Sequence, residues 1–399
     1  MKGNLQPDHR TAILDLLHER GALPRADLAA LSGLSPATVS RALASLRRSG
    51  YVREVAVPGD GPGRLARHVA LRPDGAHVVG IDAGGSMLRG VLADLDGTIR
   101  RRVARPARDP RDTERLLEDL ALVARDAIGS VDSRRVRAAA AGLSGIVDHA
   151  AGRVRMSPDL PGLDGVDVAA RLTEALGIPV EVDNDDLLAA IGEAAAGAAR
   201  GATNVVFLSL GYGLGAGILV DGRPVRGSAH AAGAVGFIGA QQLDERASGR
   251  AIPGRYIAAL VRAGRGPDVA ATMPSLDARA VFERAEAGEP IARGLVADVV
   301  AAIAEMATDV AAIVDPSVIV LGGGLVANGT VILDAVAERL AATVPFPPCV
   351  VPSVLEGAAV VHGAVALALA HARTRLQGAP GPHEGPPGRA RRRTVLQLV

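Results

Sequence analysis

Apolar residues recur at helical spacing through the first fifty positions. Ile13, Leu14, Leu16 and Leu17 form one stripe within Asp8–Arg20, and Leu28 and Leu31 form a second, opened by Leu23-Pro24 and closed by Gly33. Val39, Leu43 and Leu46 follow at i, i+4 and i+7, the spacing of one helix face. Ser35 stands where an N-cap belongs and Pro36 at the first helical position, so the third helix is predicted to begin there. The period then shortens to two. Tyr51–Val57 and Leu65–Leu71 read as short strands around Pro58–Arg64, a loop of turn residues. Three helices and a hairpin over residues 1–74 predict a winged helix-turn-helix. In that reading Ser35, Ala37, Thr38, Ser40 and Arg41 read or brace the DNA major groove. Arg47 and Arg48 reach phosphate, and Arg64 sits at the wing tip. The competing reading is a helical hairpin with a solvated polar face; the turn, the cap and the flanking elements favour the DNA-binding one.

Arg72-Pro-Asp-Gly75 is the expected boundary, and the pattern beyond it belongs to a different kind of domain. VVGIDAGGSMLRGVLADLDG (78–97) is a buried strand, a glycine turn, a second strand and an Asp-Gly turn. VVFLSLGYGLGAGILVDG (205–222) repeats that unit. Two such hairpins, one per half, predict duplicated α/β lobes, about 77–190 and 191–376, whose glycine loops let backbone amides approach phosphates from both sides. Helices are predicted near 111–129, 164–176, 185–200, 249–264, 276–287, 290–314, 330–342 and 358–375. Strands are predicted at 136–143, 180–182 and 318–322.

Composition narrows the picture. At 399 residues, 48% hydrophobic and 22% charged, the chain is globular with room for two or three domains. Net charge is only +1, yet residues 1–72 hold 11 Lys/Arg against 6 Asp/Glu, the polarity of a protein that meets nucleic acid with one end. Cys349 is the single cysteine, which excludes an intramolecular disulfide and a cysteine-cluster metal site. No apolar run is long enough to span a membrane and no signal-peptide core opens the chain, so no membrane partner and a cytoplasmic location are expected. The Pro/Gly-rich and then basic stretch 377–399 is expected to be disordered.

The order of motifs resembles the ROK family, which joins bacterial sugar kinases to transcriptional repressors on one actin/hexokinase-like (ribonuclease H-like) body. The motifs are Asp82-Ala-Gly84-Gly85-Ser86, Gly142-Leu-Ser-Gly145, Asn184-Asp185, the alternating glycines Gly211, Gly213, Gly215 and Gly217, and Leu321-Gly-Gly323-Gly324. The resemblance covers about residues 5–370, and the appended winged helix points to the repressor branch. It implies an α/β body of duplicated lobes carrying an N-terminal α+β winged helix.

Departures from the kinase pattern bear on activity. Family kinases follow Asn-Asp with Ala-Asn, whose Asn holds a sugar hydroxyl; here Asp186 and Leu187 stand there. Their G-T-G loop is Gly213-Leu214-Gly215. The sugar-gripping G-E-x-G-H is Gly233-Ala234-Val235-Gly236-Phe237, and a sugar-contacting Asn is Asp159. The cysteine-rich zinc loop is shortened and contains no cysteine, so the resemblance implies that the structural zinc is lost; ATP binding is not expected. Asp185 stands at the general-base position as a vestige, because a base works only against an acceptor held in place. It is read either as a helix-capping or inter-lobe residue or as part of an acidic group, Asp159, Asp183, Asp185 and Asp186, suited to hydroxyls, an amine or a divalent cation. Asn184 and Phe237 complete the candidate effector site. The expected function is a non-enzymatic repressor of carbohydrate or related genes, binding an operator as a dimer or tetramer under control of a small effector of the sugar-derivative class. The alternatives are a sugar kinase with an accessory winged helix, and a repressor blind to effectors.

Overall fold

The computed structural model describes residues 9–58, 65–84, 87–239, 242–265 and 276–375. The chain opens with helices α1 (His9–Arg20), α2 (Arg25–Ser32) and α3 (Pro36–Arg48), then strands β1 (Val52–Pro58) and β2 (Leu65–Leu71). These strands pair antiparallel from Val52 opposite Leu71 to Pro58 opposite Leu65. Leu23 and Val69 exchange backbone hydrogen bonds of 2.9 and 2.7 Å, which pins the turn before α2 to the hairpin. Gly33 ends α2 at φ +68°, a left-handed position that glycine adopts without penalty. Leu28 is fully buried as its spacing predicts, but Leu31 is 50% exposed, because α2 has only eight residues and packs one turn into the core.

Two five-stranded sheets follow. The first comprises β3 (His77–Ala83), β4 (Met87–Asp94), β5 (Ile99–Pro106), β6 (Val136–Leu143) and β9 (Val180–Asn184), in the order β5-β4-β3-β6-β9. The second comprises β10 (Val205–Leu210), β11 (Leu214–Val220), β12 (Arg223–Pro224), β13 (Val318–Gly322) and β14 (Cys349–Pro352), in the order β12-β11-β10-β13-β14. In each sheet the first strand in chain order pairs antiparallel with the second and parallel with the fourth. The duplication visible in the glycine hairpins therefore extends to the whole sheet order. Strands β7 (Ile146–Asp148) and β8 (Arg153–Met156) form a small separate hairpin.

Helices α4 (Thr113–Ile128) and α5 (Val168–Leu176) cover one face of the first sheet, and α6 (Asp185–Ala196) follows β9 directly. The second lobe contributes α7 (Leu243–Ala247), α8 (Ala251–Arg262), α9 (Ala278–Glu286), α10 (Pro290–Val314) and α11 (Val331–Thr343). The last helix, α12 (Ala359–Arg375), differs from expectation. It lies within the span expected for the second lobe, yet it packs on β3 and β6 of the first sheet and most extensively on α6. Glycines bring those two helices together: a Cβ on Gly192 would lie 2.9 Å from Gly363 N. At its far end α12 meets the helix-turn-helix. Arg373 Nε donates to Asp15 at 2.6 Å, and Thr11 Oγ1 donates to the Arg373 carbonyl at 3.4 Å. The apolar core of α1–α3 runs on without a break into Val78, Ala138 and Leu369 of the body.

Candidate functional sites

Helix α3 is built for presentation. Ser35 Oγ accepts a hydrogen bond from Thr38 N at 3.2 Å and shares another with Thr38 Oγ1 at 2.9 Å, so Ser35 caps the helix and Thr38 is tied to that cap. Val39, Ala42, Leu43 and Leu46 are buried, while Ser35, Ala37, Ser40, Arg41, Arg47 and Arg48 are exposed and Thr38 is half-buried. Among the described residues, none of Arg41, Arg47 and Arg48 makes an ion pair. The other exposed positions along this face, Ala37, Ser40 and Ala44, are small. Arg64 lies outside the described residues.

The second site is a cleft of about 290 Å³ where the two lobes meet. It brings together every expected effector residue: Asp159, Asn184, Asp185, Asp186 and Phe237. Asn184 caps α6 by accepting from Leu187 N at 2.9 Å, and its amide donates to Gly145 O at 2.9 Å and to Asp185 Oδ1 at 3.1 Å. Its hydrogen bonds thus hold the cleft wall together. Asp185 Oδ1 also accepts from Asp186 N at 3.0 Å. Desolvation raises the Asp185 carboxyl well above the usual carboxylate range, and the charges of Asp186 and Asp82 raise it further. Asp186 is pushed up to about 6 by desolvation, against the pull of the Ser209 hydroxyl. Asp159 accepts from Ser144 Oγ at 3.0 Å, and Phe237 stands 52% exposed at the mouth beside Ala234.

Asp183 does not join the acidic group. It is 1% exposed and turned away, gripped by Arg226 Nε at 3.0 Å and Nη2 at 2.6 Å, with His149 at 3.6 Å. A buried carboxylate needs such a partner, and its partner comes from the other lobe, 43 residues along the chain.

The nucleotide-loop glycines divide into two groups. Gly211, Gly213 and Gly215 line the cleft, whereas Asp82, Gly84, Gly323 and Gly324 do not. Gly85 and Ser86 lie outside the described residues. Gly215 has a packing reason to be glycine, because a Cβ there would lie 2.7 Å from Asp186 Cγ. Asp82 is 5% exposed, accepts from Arg89 at 2.9 Å and is pushed up to about 6, because burial outweighs the guanidinium.

Four cleft residues had no signal in their own type and spacing. Asp244 accepts from Leu214 N at 2.9 Å and pairs with Arg250, bracing the glycine loop. His230, at φ +59°, reaches Asp148 of the first lobe through Nε2 at 3.2 Å, and Ser209 lines the floor. Ser248-Gly249, which the resemblance sets just after the shortened zinc loop, is the one sequence feature that could have located Arg250. Leu187, at the position of the kinases' sugar-holding Asn, is 5% exposed and packs into the core. Among the described residues no set of three or more His, Cys, Asp or Glu side chains is arranged to hold a metal ion, and no helix is long and apolar enough to cross a membrane.

Two lobes of one sheet order around a cleft, carrying a helix-turn-helix, define an actin/hexokinase-like body with a DNA-binding appendage. The ROK family profile matches residues 78–371 and that of the IclR helix-turn-helix domain matches 10–56. The chain belongs to the ROK family. It is 38% identical over 190 residues to the bifunctional enzyme NanE/NanK of Brucella melitensis, across 46% of this chain and 32% of that one. It is 26% identical over 234 residues to the xylose repressor of Caldicellulosiruptor bescii, across 58% of each. The match thus spans about a third of the former relative and somewhat over half of the latter. Its fold is similar to that of a ROK family transcriptional regulator, a homolog of the E. coli MLC protein. That likeness has TM-score 0.77 at 22% identity, over 92% of this chain and 96% of that one.

Proposed function

We propose that this chain is a transcriptional repressor of ROK type. Its helix-turn-helix, ending near residue 74, binds an operator as a homo-oligomer in the cytoplasm, and its interlobe cleft binds a small effector without catalysing a reaction. One observation carries the reading: α3 presents Arg41, Arg47 and Arg48, none of them in an ion pair among the described residues, on a face of small residues fused through a continuous core to the cleft-bearing body. Such a face suits a major groove, where Arg reads guanine or holds phosphate. The likeness to a xylose repressor supports a sugar or sugar derivative as the effector class. A cleft of about 290 Å³ lies at the small end of ligand sites and suits a compact polar molecule.

The kinase reading draws on Asp185, a desolvated carboxyl with a raised pKa in the cleft, and on the NanE/NanK relative. Against it, the side chains of Ala234 and Phe237 offer no hydrogen bond, and Leu187 packs into the core. A general base without a positioned acceptor contributes little. The test pairs two assays. Arg41→Ala is expected to cost about 1–3 kcal/mol of operator affinity, and the wild type is expected to show no sugar-dependent ATP turnover across hexoses and amino sugars. Unchanged operator affinity in Arg41→Ala removes Arg41 from the groove, and robust sugar-dependent turnover replaces the repressor reading with the kinase.

A further inference from the structure

We propose that the DNA-binding surface continues beyond α3 into an arginine-lined groove between the helix-turn-helix and the first lobe, which takes the phosphate backbone of flanking duplex DNA. The inference rests on the DNA-binding reading above and extends it to residues outside the recognition helix. The groove, about 670 Å³, is walled by Arg47 at the end of α3, Arg53 and Glu54 of β1, Arg72 and Asp74 of the connector, and Arg100 of the edge strand β5.

The acidic groups around it are already neutralised. Glu54 lies between Arg25 at 2.7 Å and Arg67 at 3.2 Å, and both hydrogen bonds hold its carboxyl below the usual range. Asp74 is paired with Arg72 at 3.1 Å, and Asp94 accepts from Arg100 Nε at 2.6 Å and His77 Nδ1 lies 2.9 Å from it. Arg47 and Arg53 are exposed and make no ion pair among the described residues. The groove therefore presents uncompensated positive charge to solvent. Arg102, exposed on β5, carries it further along the sheet edge.

Its position selects the partner. Ser40, Ala44 and Arg47, at i, i+4 and i+7, run along one border of the exposed face of α3, and that border ends at the groove. A duplex with α3 in its major groove has a phosphate strand along such a border. Phosphates at regular spacing are what a row of guanidinium groups neutralises, and each contact releases counterions.

The test measures anisotropy with full-length protein and a random-sequence duplex of about 30 base pairs, several helical turns, across a salt series. Arg53 is exposed on a strand, and circular dichroism checks the fold of each variant. Arg53→Ala is expected to lower the slope of log affinity against log salt by about 0.9. Between 50 and 200 mM salt, that slope change shrinks the affinity ratio by about 3.5-fold. Arg53→Lys is expected to keep the wild-type slope, and Arg53→Glu to lose more than Arg53→Ala. A wild-type slope and affinity in Arg53→Glu, with Arg41→Ala still weakened, overturns the groove and leaves the repressor reading intact. No salt-dependent binding by the wild type overturns both.

Discussion

Gly363, inside α12, is a position where two physical effects disagree in sign. Helix propensity alone says that Gly363→Ala stabilises the protein by about 1 kcal/mol, because alanine orders at lower entropy. The structure says the opposite. A methyl at Gly363 would lie 2.5 Å from the carbonyl carbon of Leu188 and 2.9 Å from its Cα, both backbone atoms of α6. Carbon atoms pack at about 3.5–4.0 Å, so the two helices would have to part by about 1 Å along their most extensive contact. That contact is flanked by the buried Leu188, Val361 and Ala364, whose packing opens with it. Overpacking of this kind costs about 1–3 kcal/mol, and backbone atoms cannot rotate aside as a side chain can. The cost lies at or above the upper end of that range, so a net destabilisation of about 2 kcal/mol or more remains after the propensity gain. Gly294, exposed in α10 with nothing within 4 Å of its Cβ position, is the internal control. Gly294→Ala is expected to gain about 0.5–1 kcal/mol. Urea unfolding followed by circular dichroism compares the two midpoints against wild type. Equal stabilisation by both substitutions refutes the α6–α12 packing.

Other expectations follow from buried charges. Arg226→Ala leaves Asp183 buried without its main partner and is expected to cost about 3–5 kcal/mol, read by the same urea assay; a loss below about 1 kcal/mol would mean the pair is solvated, as surface pairs are. Asp82 has its folded pKa raised from 3.8 to about 6, so between those values the folded state binds more protons than the unfolded chain. Its contribution to stability is therefore fully present below about pH 4 and is lost as pH rises through about 6. The stability of Asp82→Asn minus that of wild type is expected to climb over that window and level off above it. A flat difference across the window contradicts the desolvation of Asp82.

The sequence was readable wherever one face of an element is apolar. The helices around Val39, Leu43 and Leu46 and over 290–314 lie where periodicity puts them, as does the strand Val136–Leu143. Strand β5 escaped because an edge strand needs few apolar positions, and Ile99-Arg-Arg-Arg-Val reads as a charged loop. The site was legible as a list of positions, since Asp159, Asn184, Asp185, Asp186 and Phe237 do meet in one cleft. Which of the clustered acidic residues share that cleft was not. Asp183 looked equivalent to its neighbours until Arg226 approached from the other lobe. Gly215, read as a phosphate cradle, also clears space for Asp186. The return of α12 to the first lobe depends on glycines far apart in sequence and has no local signature.

The most direct test of the account is binding of the purified protein to DNA from upstream of its own and neighbouring genes, measured by anisotropy. An unrelated fragment of equal length serves as reference at the same salt concentration. A preference of about a thousandfold for one fragment is predicted, the usual margin of specific over non-specific recognition. Equal, weak and strongly salt-dependent binding to every fragment would contradict it and reduce the helix-turn-helix to an electrostatic anchor on a ROK body with some other task.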